Sequence, residues 1–249
     1  MEDEEYIDNI DDFFDQFPDN FSVLEEEVDV NLQLEYFELS RKLRDEEQIR
    51  DLDELSKILT NEEIEFSELK EVLAEIAAID SVEAYRFLES FVKESEGDIR
   101  QWALMAYQES KVLMQSSLLD ENQFFISTGL GGKGKCLRYF AVVIAKEGFE
   151  LGELQQKVTK NEFDFVFNEN DCKIESLDFH SRYAAILALM PLKAPIKEIF
   201  SKAIDECNTY GEFLEEKFLI TNVMKLSPDQ VEAFLNAENK QEFIDKLNA

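Results

Sequence analysis

The sequence predicts an α+β chain in which a helical N-terminal region precedes a small antiparallel sheet domain. Three observations carry that expectation. From Val30 to Leu113 apolar residues recur at three- and four-residue intervals, the period of an amphipathic helix. At about Asn122 the texture changes to short runs rich in aromatic and β-branched residues. From Cys136 to Val223 the elements read in the order β-α-β-β-α-β. The expected division is an acidic-aromatic tail at 1–29, a helical region at 30–121, and an α+β domain with C-terminal helices at 122–249.

The tail holds thirteen acidic residues and neither Lys nor Arg, with Tyr6, Phe13, Phe14, Phe17 and Phe21 interleaved. Such a segment is read either as a solvated tail or as a motif that docks its aromatics on a partner or on its own body. Leu32, Leu34, Tyr36, Phe37, Leu39 and Leu43 then suggest one amphipathic helix, and Leu52, Leu55, Ile58 and Leu59 a second. Leu69, Val72, Leu73, Ile76, Ala77 and Ile79 form a third stripe. Asp80-Ser81 supplies a break and a cap before Val82, Tyr85, Leu88, Phe91 and Val92. A further break at Gly97-Asp98 precedes Ile99, Trp102, Ala103, Ala106, Val112 and Leu113.

In the second half, Gln123–Thr128 reads as a strand, and a glycine cluster follows from Gly129 to Gly134. Cys136–Ala145 and Tyr183–Met190 are the most apolar strands, so they are expected at the centre of the sheet. Lys173–Phe179 and Lys217–Val223 carry charge and are expected at its edges. Phe149–Lys160 and Pro195–Asn208 read as the intervening helices, the second with Pro at its start and Gly211 past its end. Ser227-Pro228-Asp229-Gln230 is a cap for a C-terminal helix, and Lys240–Leu247 reads as one more. Both parities of Tyr139–Ile144 are apolar, so the sheet face away from its helices needs a cover. The N-terminal helices, the C-terminal helix or a second copy of the chain are the candidates.

Two resemblances follow. Asp98-Ile99-Arg100-Gln101-Trp102-Ala103 resembles the start of the second helix in HEAT-like repeats, a likeness that covers residues 66–119 at most. The β-α-β-β-α-β order with apolar first and third strands resembles ferredoxin-like domains. The combination is similar to bacterial proteins that pair helical repeats with a small sandwich. None of these resemblances implies catalytic residues.

Charge narrows the partners. Lys and Arg total 25 against 56 Asp and Glu, a net charge of −31. Such a surface repels phosphate backbones and anionic bilayers, so neither nucleic acid nor membrane is expected. No apolar run reaches the roughly 18–20 residues of a membrane helix, and Met1-Glu2-Asp3-Glu4-Glu5 lacks the basic start of a signal peptide. The expected location is cytoplasmic. Cys136, Cys172 and Cys207 have no CxxC spacing and read as reduced, packed thiols. His180 is the one histidine, and it reads as a turn residue. No metal site or cofactor is implied, and no catalytic residue is located.

The glycine cluster is the sharpest motif. Gly129, Gly134 and Lys135 fit GxxxxGK, while Gly129, Gly131 and Gly134 fit GxGxxG. Both patterns surround phosphate with backbone N–H groups, but both must open a helix. Here Cys136 and a strand follow. The plain reading is a solvated hairpin turn whose glycines supply positive φ. The functional reading is an anion site made by Gly129, Gly131, Gly132, Lys133, Gly134, Lys135 and Arg138, or a seat for the acidic tail in cis or from a neighbour. The expected function is a non-catalytic protein-interaction or regulatory module with a protein partner or a second copy of itself. A small-anion sensor at 129–135 is the alternative, and an enzyme using carboxylates or a thiol is the third. Phe13, Phe14, Phe17 and Phe21 are the candidate partner-binding residues.

Overall fold

The computed structural model describes residues 20–45, 50–59 and 64–237. Phe13, Phe14, Phe17 and the helix expected at 240–247 lie outside the described residues. The chain divides into two compact units, Met1–Lys135 and Cys136–Ala249. The division therefore falls after the glycine cluster, later than the 121/122 junction expected. Among the described residues no helix is long and apolar enough to cross a membrane.

The first unit contains strand β1 (Phe21–Val23) and helices α1 (Val30–Asp45), α2 (Leu52–Leu59), α3 (Phe66–Ala77), α4 (Val82–Glu94) and α5 (Gly97–Leu119). Strands β2 (Phe124–Ile126) and β3 (Gly132–Lys133) complete it. The run of consecutive helices is in keeping with the HEAT-like resemblance. Ser81 caps α4 by accepting a hydrogen bond from the Ala84 N–H at 3.1 Å, as its sequence position predicts. Trp102 and Tyr36 are fully buried at the centre of the core, rings edge to face at 5.1 Å. The Trp102 indole N–H donates to the Lys70 carbonyl at 3.0 Å, which satisfies its one polar group. Helix α5 runs six residues past Leu113, because Ser116 and Asp120 close its C-terminus. The Ser116 carbonyl accepts the Glu121 N–H at 3.2 Å, with Asp120 in the left-handed region at φ +52°.

The second unit is ferredoxin-like. It comprises β4 (Cys136–Ala145), α6 (Glu153–Glu169), β5 (Lys173–Phe179), β6 (Tyr183–Pro191), α7 (Ile196–Asn208), β7 (Leu214–Thr221) and α8 (Pro228–Asn236). The strand order β7-β4-β6-β5 puts β4 and β6 at the centre of this group, antiparallel throughout. The core includes Ala141, Val143, Ala184, Ile186, Phe163, Val166, Phe167 and Phe200, which joins one sheet face to α6 and α7. Helix α6 lies later than the 149–160 expected. Gly152 caps its start, and Phe163, Val166 and Phe167 continue its buried face. Strand β7 ends at Thr221, whose hydroxyl accepts the Val223 N–H at 3.1 Å and turns the chain. At α8 the capping box expected from sequence is complete: Ser227 Oγ accepts the Gln230 N–H, and Gln230 Oε1 accepts the Ser227 N–H. On the other sheet face Phe140 and Val142 are also fully buried. Leu226, Pro228 and Val231, at the start of α8, line a cavity together with Phe140 and Tyr183, so the C-terminal helix supplies part of the expected cover.

Candidate functional site

The expected tight turn is confined to the end of the glycine cluster, Gly134-Lys135, with Gly134 at φ +62°, and β2 is not one of its arms. Strand β2 pairs instead with β1, in parallel, Phe21 opposite Phe124, Ser22 opposite Phe125 and Val23 opposite Ile126. The segment from Asn20 to Asp29 thus lies along β2 and the glycine cluster within the helical unit. It is not a tail at these positions, since Val23, Leu24 and Val28 are buried. Apolar side chains at 23, 24 and 28 have area to gain from packing, and that outweighs the solvation of the neighbouring glutamates.

Backbone hydrogen bonds tie this strap down along its length. The Phe124 N–H donates to the Asn20 carbonyl at 3.2 Å, and the Leu24 N–H to Ile126 at 2.9 Å. The Val28 N–H donates to Gly129 at 3.2 Å, and the Gly132 N–H to Glu25 at 3.3 Å. The Gly134 N–H donates to the Glu25 carboxylate at 3.4 Å. Side chains add to these. Gln33 Nε2 bridges the Val28 carbonyl at 2.8 Å and the Thr128 carbonyl at 3.1 Å. Gln108 Nε2 donates to Ser22 Oγ at 2.9 Å, and Arg100 pairs with Glu26 at 2.7 Å. The Lys135 ammonium stands 5.3 Å from the centre of the Phe21 ring, within cation–π reach.

Glycine is required at one position for a specific reason. Gly131 has φ +64°, and a Cβ there would stand 2.6 Å from the carbonyl oxygens of both Glu25 and Glu26. The strap approaches the loop backbone too closely for any side chain. At Gly134, φ is +62° but nothing lies within 4 Å of a Cβ. Gly129–Gly132 are buried and Lys133–Lys135 exposed, so the solvated-loop expectation fails for the first half of the cluster and holds for the second. The amide donors of Gly131, Gly132 and Gly134 face the Thr128 carbonyl, the Glu25 carbonyl and the Glu25 carboxylate. One of these amides, that of Gly134, thus meets a carboxylate of the same chain, and the other two are taken up by backbone carbonyls.

Arg138 belongs to the second unit. It lies on β4, and its guanidinium pairs with Glu175 through Nε at 2.5 Å and a second nitrogen at 3.3 Å. That fork geometry engages the guanidinium with a carboxylate of the same sheet. Cys136 opens β4 and not a helix, so neither phosphate motif has its helical context. His180 follows the last residue of β5, where its N–H donates to the Tyr183 carbonyl at 2.8 Å. Cys172 and Cys207 are buried, and burial pushes their thiols up to about 11 and about 12. Among the described residues no group of three His, Cys, Asp or Glu side chains is placed to hold a metal ion.

A buried polar network in the helical unit escaped the sequence reading. Glu109 on α5 is buried and accepts from Tyr36 Oη at 2.6 Å and Ser40 Oγ at 2.8 Å, and it pairs with Arg44. Tyr36, Ser40 and Arg44 sit at i, i+4 and i+8 on α1, so one helix stripe presents all three donors. That spacing was the available signal. Burial first, then the Glu109 charge, holds the Tyr36 hydroxyl protonated far above its ordinary range. The network ties α1 to α5.

No family model matches the chain, and no curated protein matches it. Among solved structures, a protein designated a transposase from Deinococcus radiodurans R1 is similar over 42% of this chain and 91% of its own, at 13% identity and a TM-score of 0.37. A REP-associated tyrosine transposase bound to a REP hairpin is similar over 41% of this chain and 67% of its own, at 10% identity and a TM-score of 0.31. Both scores are too low to extend anything from those proteins to this chain.

Proposed function

We propose that the chain is a non-catalytic protein-interaction or regulatory module whose helical unit recognises an extended acidic-aromatic segment, supplied in cis by its own residues 20–28. The observation that supports this is the close seating of that segment on the glycine cluster. It uses the devices of peptide recognition by strand addition: main-chain hydrogen bonds for affinity and side-chain seats for register. Ser22, Glu25 and Glu26 each meet a specific donor, and Phe21 meets Lys135. Phe13, Phe14 and Phe17 precede the strap and extend the same acidic-aromatic character toward a protein partner or a second copy of the chain. The small-anion reading is weaker, because a free anion would have to displace Glu25 from the loop amides.

Peptide complementation tests the recognition. A chain lacking residues 1–28 loses the strap, and a synthetic peptide of residues 19–29 should restore its Trp102 thermal transition in a saturable way. A scrambled peptide of the same charge should not. Failure of the native peptide to restore the transition, or equal success of the scrambled one, defeats the reading. Purification from native lysate then compares the full chain with one lacking residues 1–19, which keeps the strap intact. A stoichiometric partner lost on that truncation assigns the contact to the acidic-aromatic residues.

A further inference from the structure

Strand β5 (Lys173–Phe179) ends the sheet of the second unit. It pairs with β6 on one side, and among the described residues no other strand meets it. Such an edge offers a row of unpaired main-chain groups to another strand, and proteins guard it with charges and bulges. Strand β5 has both devices. Its pairing with β6 slips between Ile174 and Ser176, with Glu175 as the extra residue, and Lys173, Glu175 and Asp178 are exposed.

The slip decides which side chains share a face. Ile174, Leu177 and Phe179 stand opposite Ala188, Ile186 and Ala184 and pack with the helix-side core. Lys173, Ser176 and Asp178 stand opposite Leu189, Leu187 and Ala185, on the other face. Leu189 is also opposite Arg138, and Arg138 reaches Glu175, which places Glu175 on that face too. An antiparallel pair sets side chains of one face against each other. Two copies of β5 about a two-fold axis satisfy this at every paired position in one register. Lys173 then stands against Asp178, Ile174 against Leu177, and Glu175 against Ser176. Slipping by one residue either way sets Ile174 against Asp178 or Ser176, an apolar residue of one face against a polar residue of the other. Without the bulge Lys173 and Asp178 would lie on opposite faces, because they are five apart in sequence.

Charge points the same way. An edge guarded against its own copy carries charges that repel in the paired register. Here Lys173 meets Asp178 twice, and Glu175, the acid nearest the axis, is already paired with Arg138. The edge is thus a balanced stretch on a chain of net charge −31. The side chains of Lys173 and Asp178 make no ion pair among the described residues, so neither gives up a partner to enter the seam.

We propose that β5 is the self-association edge of this protein. Two copies join antiparallel about a two-fold axis centred on Glu175 and Ser176, with Lys173 of each copy against Asp178 of the other. This surface is independent of the strap, so a chain whose strap fails the peptide test still dimerises through β5.

Sedimentation velocity of the full-length chain tests the edge. At about 100 µM chain and about 0.15 M salt, the species should have twice the mass of one copy. Lys173→Asp and Asp178→Lys each set like charges opposite one another twice, and each should weaken dimerisation at least tenfold. Mixed in equal amounts the two variants should recover the dimer, because every charge in the mixed pair then meets its opposite. Amide exchange adds a reading that needs no variant: protection within residues 173–178 should rise with chain concentration. If a variant does not fold, that reading decides alone. A wild-type monomer at this concentration would leave the edge to a foreign strand or to none, and overturns the proposal. So does a dimer that either variant retains in full, a loss that mixing two folded variants does not reverse, or exchange on β5 that ignores concentration.

Discussion

Replacing Gly131 with alanine should release the strap, and the cost follows from geometry. A non-glycine residue at φ +64° carries the left-handed penalty, about 1–2 kcal/mol. The new Cβ would also stand 2.6 Å from two backbone carbonyl oxygens, which have no flexible end to move aside. The strap must lift, and the Gly132 and Gly134 bonds to Glu25 go with it, about 1 kcal/mol each. The total is roughly 3–4 kcal/mol. Gly134→Ala is the matched control, since it has nearly the same φ and open space around its Cβ. It should cost only the left-handed penalty, about 1–2 kcal/mol. Urea unfolding read by Trp102 fluorescence isolates the helical unit, because the chain has one tryptophan and it is fully buried there. Equal losses in the two variants would refute the close-approach argument.

Four further outcomes are expected. Glu109→Ala strands the Tyr36 and Ser40 hydroxyls in the α1–α5 core, while the exposed Arg44 returns to solvent, and should destabilise the helical unit by about 2–5 kcal/mol; Tyr36→Phe should cost less than half of that, and urea midpoints decide. Ser227→Ala removes the capping box and should lower stability of the second unit by about 0.5–2 kcal/mol, read by amide exchange along α8. The folded-state thiols of Cys172 and Cys207 lie at about 11 and about 12 against an ordinary 9.0, so an unfolded chain releases those protons first. Their contribution is complete below pH 9, and stability should fall as pH rises from there through 11 to 12, with a shallower fall in Cys207→Ala. In a thiol-labelling time course at pH 8, the half-buried Cys136 should react before the two buried cysteines, and equal rates would contradict their burial.

Much of the fold was legible in local pattern. Strands Cys136–Ala145 and Lys173–Phe179 stand where the sequence placed them, and the apolar pair β4 and β6 is central because strands covered on both faces must be apolar at both parities. The Ser81 cap and the Ser227–Gln230 box were readable because a cap is decided by residues three apart. The helical N-terminal half was readable from its period. Residues 20–28 were not, because their acidic composition resembles a solvated tail and their partner strand lies about a hundred residues away.

The sequence by itself determined the succession of N-terminal helices, the β-α-β-β-α-β order from Cys136, the central strands, the capped helix starts and the acidic composition, because each depends on neighbours within one or two turns or on composition alone. Tertiary structure alone decided that β2 pairs with β1, that the loop amides receive Glu25, that Arg138 joins Glu175, and that a cavity opens beside Tyr183. Those outcomes depend on which distant groups can bury apolar area and satisfy hydrogen bonds together, and no local spacing encodes that competition.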